Sequence, residues 1–245
     1  MMRVLMVQNM LYVPVWGGAN KGNREILEYL AAQDHCCVAI TPAVSPYGPR
    51  DRAAFLVVLE TLGVVPQASS SEVVVYRING VEIHSLFDPR QIPAYLREYR
   101  RTHESDVVLV GADDPTQTML DVALETRPDR VVWLVRSTLF LPFGPGGCVP
   151  DDPKRKQALR VGAMVCNSCH VQDYLRRHLG RKDDVLPAIN HLPLPLMGLK
   201  VNPSRASVDC QAGYITMINP CALKGLAIFL ELARRIPEVA FAAVP

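Results

Sequence analysis

The sequence lacks any run approaching the roughly 20 apolar residues that a membrane-spanning helix needs, so no membrane span is expected. Its apolar start, Val4 to Val7, is broken by Gln8 and Asn9 and has no clear small-residue cleavage site. It is expected to be a first β-strand, not a signal peptide. Basic runs with interleaved aromatics are also missing and the net charge is only +2, so nucleic acid is not an expected partner. The seven cysteines are odd in number and lack secretory signals, which points to free thiols in a reducing cytoplasm. No GxGxxG fingerprint is present, which argues against a dinucleotide, and no cofactor is expected. Nor is there a solenoid-type repeat.

What is present is a globular composition, 49% hydrophobic and 20% charged over 245 residues, enough for one large core or for one and a half ordinary domains. Strand and helix patterns alternate, as in a parallel sheet covered on both faces. The spacing predicts strands at Arg3 to Gln8, Cys36 to Ile40, Asp106 to Gly111, Arg130 to Val135, Ala163 to Cys166 and Asp184 to Pro187. Helices are predicted at Lys21 to Ala32, with Ile26, Leu27, Tyr29 and Leu30 facing the core, and at Arg52 to Leu62 and Ile92 to Arg101. Three more follow at Thr116 to Thr126, Pro153 to Arg160 and Cys169 to Leu179. One hairpin interrupts the rhythm, Val73 to Ile78 and Val81 to Leu86 around Asn79-Gly80, a type I′ turn pair. Residues 188 to about 212, with Pro193, Pro195 and Pro203, have no periodicity and are expected to link two domains. Beyond them Tyr214 to Ile218 is a strand, Leu226 to Ile236 an amphipathic helix and Val239 to Val244 a second strand. The predicted architecture is therefore α/β, a complete Rossmann-like domain over residues 1–205 and the first βαβ piece of another over 206–245.

Several residues fall where such folds bind ligands. Gly17-Gly18 lies between the first strand and first helix, where glycines let N–H groups approach a phosphate. An ordinary turn pair is the equal alternative. Lys224-Gly225 opens a later helix, adding a point charge to its orphan N–H groups, with a solvated lysine as the plainer reading. Asp114 before Pro115 is a natural helix cap. Asp113 stays open as a ligand for a metal or a sugar hydroxyl. Arg136-Ser137 ends a strand, and bidentate anion binding and a surface ion pair are equal readings for the arginine. Cys166-Asn-Ser-Cys169-His170 matches a haem-attachment string, but it spans a strand end and a helix start, with Ser168 as N-cap. Cys166 is expected to be buried and Cys169 half-exposed. His84, His103 and His191 are expected to be structural or on the surface.

Taken together, these pieces resemble family 4 glycosyltransferases of the GT-B type. The resemblance is sharpest at Ile215-Thr-Met-Ile-Asn-Pro-Cys-Ala-Leu-Lys-Gly225, Phe229-Leu-Glu-Leu-Ala233 and Pro237-Glu-Val-Ala-Phe241. It is carried more diffusely by Leu141-Pro-Phe-Gly-Pro145 and by the strand–helix from Cys166 to Leu179. It implies a GT-B fold and retaining transfer of a sugar from a nucleotide diphosphate sugar to an acceptor, without a required metal. Gly17, Gly18, Asn219, Lys224 and Gly225 would then lie at the donor diphosphate, Asn20 and Asp113 on the acceptor side, and Arg136 and Ser137 at the reacting centre. Two positions depart from the family: Asn219 replaces an arginine, and Arg136 replaces a histidine. The family's EX7E donor segment would fall beyond Pro245, so the chain is expected to hold the acceptor half and the lip of the donor half. Other readings are a non-catalytic acceptor-binding module needing a partner chain, and a different Rossmann enzyme using NAD or a methyl donor. Two strands and a helix cannot fold alone, so docking or homo-oligomer formation through residues 213–245 is expected.

Overall fold

The structure, a computed structural model, describes residues 1–147, 154–192, 213–218 and 220–244. It divides into two units, Met1–Gly198 and Leu199–Pro245. The expected boundary at 205/206 lies outside the described residues.

The first unit is built from short apolar runs that become strands buried on both faces. In chain order it contains β1 (Arg3–Val7), α1 (Gly18–Ala32), β2 (Cys36–Pro42), α2 (Arg52–Thr61), β3 (Ala68–Ser69), β4 (Val73–Ile78) and β5 (Val81–Leu86). Then come α3 (Ile92–Thr102), β6 (Val107–Gly111), α4 (Thr118–Ala123), β7 (Val131–Val135), α5 (Arg155–Ala158), β8 (Ala163–Cys166), α6 (Cys169–His178) and β9 (Ala188–His191). Together they form a nine-stranded sheet in the order β3-β4-β5-β2-β1-β6-β7-β8-β9. From β5 to β9 every neighbouring pair is parallel, and only the β3–β4–β5 meander runs antiparallel. Asn79 and Gly80 both have positive φ, 48° and 82°, as the type I′ hairpin turn requires.

Alternate strand residues feed opposite cores. Leu5, Val7, Val108, Val110, Trp133 and Val135 pack with α3, α4 and α6 through Leu96, Leu120 and Leu175. Val4, Met6, Ala39, Leu109 and Leu134 pack on the other face with Ile26 and Leu27 of α1 and Phe55 and Leu59 of α2. Each fully buried side chain of this kind contributes about 1.5–3 kcal/mol, so the sheet is a stiff platform for whatever its edges carry. Asp51 caps α2 by accepting from the Ala54 N–H at 2.8 Å, and Ser168 caps α6 by accepting from Val171 at 3.2 Å. No side chain caps α1, which opens on Gly17 at φ 82°.

Several boundaries differ from expectation. The strand predicted at Asp184 to Pro187 instead forms at Ala188–His191, inside the expected linker. The Asp184 carboxylate accepts from the Arg181 N–H and from Arg155, locking a turn there, and Pro187 has no N–H for a ladder. Helix α4 starts at Thr118, not Thr116, because Asp114 organises the preceding residues into a turn. Helix α5 covers only Arg155–Ala158 of the described residues, and Pro153 lies outside them. Helix α1 begins one turn earlier than predicted, and Tyr29 is exposed where Asn23 is buried.

The second unit contains β10 (Ile215–Ile218), a 3₁₀ turn at Ala222–Lys224, α7 (Leu226–Arg235) and β11 (Phe241–Val244). The strands pair in parallel, Ile215 opposite Phe241, and Phe229 of α7 meets the Phe241 ring edge-on at 5.3 Å. This is the expected βαβ piece, with each strand one or two residues shorter than predicted.

Candidate functional site

In the first unit the chain runs from β1 to β2 on one side and later returns to β6 on the other side of β1. That reversal opens a crevice at the carboxyl ends of β1 and β6, where doubly wound sheets place their ligands. Gln8 and Asn9 leave β1 here, Asp113 and Asp114 follow β6, and Arg136 and Ser137 follow β7. Helix α1 presents its N-terminus to the same edge. Ala19, Asn20, Asn23, Asp113, Arg136 and Ser137 line one cavity of about 60 Å³.

A buried polar chain supports it. The Arg136 Nε donates to Asn23 Oδ1 at 2.9 Å, and Asn23 Nδ2 donates to Gln8 Oε1 at 3.2 Å. Gln8 Nε2 in turn donates to the Met10 carbonyl at 3.0 Å. Gln8, Asn23 and Arg136 are 0%, 2% and 9% exposed, so none of them relies on bulk water. Both terminal guanidinium nitrogens of Arg136 are buried without a hydrogen-bond partner. Burial pulls the Arg136 pKa below its usual value, yet the group remains a cation because it starts so high. Among the described residues Arg136 makes no ion pair, so the alternative reading of a surface pair does not hold there, and the arginine is buried.

Asp113 is half-buried, and its two carboxylate oxygens each accept from the Asn9 N–H at 3.2 Å. Burial, helped by the neighbouring Asp114 charge, raises its pKa to about 6 despite that hydrogen bond. Asp114 has a different task. It accepts from the N–H groups of Thr116 and Met119, capping the turn into α4, while Pro115 lies three residues before the helix and not at its first position. Asn20 donates to the Trp16 carbonyl at 2.8 Å and so closes the glycine loop from below. Ser137 is exposed, and its hydroxyl accepts from the Leu139 N–H at 3.1 Å.

The structure therefore gathers Gly18, Asn20, Asp113, Arg136 and Ser137 at one edge of one unit. Lys224 and Gly225 lie in the other unit, where Gly225 at φ 83° turns the chain into α7 and Lys224 is exposed. Asn219 lies outside the described residues. Sequence reasoning missed Gln8 and Asn23. Asn23 sits three and four residues before Ile26 and Leu27 on the apolar stripe of α1, and a polar residue on that stripe was the available signal.

A wider depression of about 300 Å³ lies along the same edge, lined by Asn9, Arg90, Asp114, Thr116 and Thr118 among others. Another of about 330 Å³ lies at the amino-terminal edge of the sheet, beside Arg3, Cys36 and His103. It is remote from the switch point, and its position gives it no part in this site. Cys166 is buried and Cys169 exposed, 3.6 Å from His191 Nδ1, while the His84 ring lies between Tyr95 and Glu82 at 2.7 and 3.0 Å.

No protein-family model and no curated protein matches the sequence. Solved structures do match in shape. The sucrose-phosphate synthase of Thermosynechococcus elongatus matches over 98% of this chain with TM-score 0.59 and 13% identity. The catalytic domain of starch synthase IV from Arabidopsis thaliana, bound to ADP and acarbose, matches over 99% with TM-score 0.56 and 11% identity. The fold is that of the GT-B glycosyltransferases. At these identities the likeness establishes fold alone, and the chain spans 62% and 68% of the two matched chains.

Within this GT-B fold the two loop glycines are separable by experiment. An alanine Cβ at either position would meet nothing within 4 Å, but only Gly17 has positive φ. Gly17→Ala is expected to cost about 1 kcal/mol through backbone strain, and Gly18→Ala close to nothing. Thermal melts check this. A Gly18→Ala chain that melts like wild type yet loses ligand affinity would mark close approach of a ligand to that backbone. Equal destabilisation by both substitutions would contradict the assignment of strain to Gly17 alone.

Proposed function

We propose that the chain transfers a sugar from a nucleotide diphosphate sugar to an acceptor, with the first unit on the acceptor side and the second opening the donor side. The observation carrying this reading is the fifteen-residue helix α1, uncapped and opened by Gly17, at the switch point of a GT-B sheet. Its free N–H groups and dipole favour a phosphate, and Lys224 at the entry to α7 offers a point charge for the same kind of group. In such a reaction the protein supplies positioning and stabilises the departing diphosphate electrostatically. Retention and membership of family 4 follow the resemblance of Ile215 to Gly225. Residues 1–205 and 206–245 are the proposed domains, the setting is cytoplasmic, and association through the second unit belongs to the same proposal. Asp113 and Asn20, with the depression bounded by Arg90 and Thr118, are the proposed acceptor surface.

Calorimetric titration with UDP, GDP and UDP-glucose tests this. Micromolar binding of at least one is expected, weakened about tenfold or more in Lys224→Ala, which corresponds to about 1.4 kcal/mol. Absence of binding to all three would overturn the donor assignment and leave an acceptor-binding module.

A further inference from the structure

A buried cation with nothing to neutralise it needs an explanation, because the cost of holding it falls on folding stability. Arg136 is nine-tenths buried and lines the 60 Å³ cavity, its Nε is fixed on Asn23, and both remaining nitrogens are buried without a hydrogen-bond partner. Asn23 cannot rotate to serve them, since its amide nitrogen is held by Gln8, whose own nitrogen is held by the Met10 carbonyl. The chain of amides thus fixes the guanidinium plane and leaves its outer fork buried and without a partner. Ala19 and Asn20 line the same cavity, in the first turn of α1, a turn that contains no acidic residue and has no side-chain cap. The other titratable group facing the space is Asp113, which is tied to the Asn9 N–H.

We infer that this cavity is an oxyanion pocket for a phosphoryl group, with the Arg136 fork meeting two of its oxygens and the start of α1 a third. Asn23 and Gln8 are its positioning residues. A fork held in this way suits a tetrahedral oxyanion bidentately, which a lysine cannot do. The pocket holds a group of a few heavy atoms, so the rest of the molecule extends outward. Two molecules carry such a group, a phosphorylated acceptor and the donor diphosphate. The pocket itself stands on the geometry, whereas its role in sugar transfer rests on the proposed function.

Melting curves of the full chain with sodium sulfate, inorganic phosphate, glucose 6-phosphate and UDP, against sodium chloride of matched ionic strength, test the inference. Sulfate and phosphate are expected to raise the wild-type melting temperature by several degrees and leave Arg136→Met unmoved. Arg136→Lys should give an intermediate rise. Arg136→Met without ligand is expected to melt within about 3 °C of wild type or higher, because it removes an uncompensated buried charge. A sugar-phosphate effect that needs Arg136 but not Lys224 would identify the acceptor as the source. A UDP effect lost in Arg136→Met, with no shift from glucose 6-phosphate, would identify the donor. Equal oxyanion shifts in wild type and Arg136→Met, or none in wild type, would overturn the pocket whether or not the chain proves to be a transferase.

Discussion

Asn23→Leu is expected to lower the stability of the chain by about 3–5 kcal/mol, because it strands a buried charge and a buried amide together. Asn23 accepts from Arg136 Nε and donates to Gln8 Oε1, and all three side chains are buried. Leucine has a similar volume, so no cavity opens and packing is kept. What changes is that Arg136, already without partners at both terminal nitrogens, loses its remaining side-chain hydrogen bond. A fall in melting temperature on the order of 10 °C follows for a chain of this size.

The physical claim lies in how that loss depends on Arg136. With methionine at 136 the charge is gone, and Asn23→Leu should then cost only about 1–2 kcal/mol for the orphaned Gln8 oxygen. A double-mutant cycle by chemical denaturation reads this coupling. Equal costs in both backgrounds would mean that Asn23 acts through packing alone, and the positioning role would fall.

The reach of the sequence can be judged from these residues. Strand identity was legible wherever apolar runs were short and bounded, as at Val4 to Val7 and Val131 to Val135, because burial on both faces leaves little choice of residue. The Asn79-Gly80 turn was legible because its backbone demands positive φ, which few residues tolerate. Element ends were not, since they depend on side-chain bonds such as Asp114 to Met119 or Asp184 to Arg181. The site was half legible. Arg136 and Asp113 sit one and two residues after predicted strands and Gly17 lies in the loop after the first strand, and position alone marked them. The partner of Arg136 lies 113 residues away, and no local pattern couples Arg136 to Asn23. The inward turn of the arginine therefore emerged only from the fold.

Asp113→Asn is expected to stabilise the chain at pH 7 by about 3 kcal/mol and to leave it nearly unchanged at pH 4. The carboxyl has a folded pKa of about 6 because burial, with help from Asp114, disfavours its charge more than the Asn9 N–H favours it. An unfolded aspartate releases its proton near its model value of 3.8. Between those values the native chain binds more protons than the unfolded one, so stability falls as pH rises from about 4 to about 6 and is level beyond. Asparagine cannot ionise, keeps an oxygen for the Asn9 N–H, and should abolish that slope. Gly111 shows how closely the carboxylate is accommodated, since a Cβ there would lie 2.6 Å from Asp113 Oδ1. Denaturation midpoints of both chains across pH 4 to 8 measure the difference, and parallel profiles would remove Asp113 as its cause. An ionised carboxylate that lowers stability at neutral pH also bears on function. If Asp113 holds an acceptor hydroxyl, the more stable Asp113→Asn chain should bind acceptor less well, the exchange expected where a site is maintained at the expense of the fold.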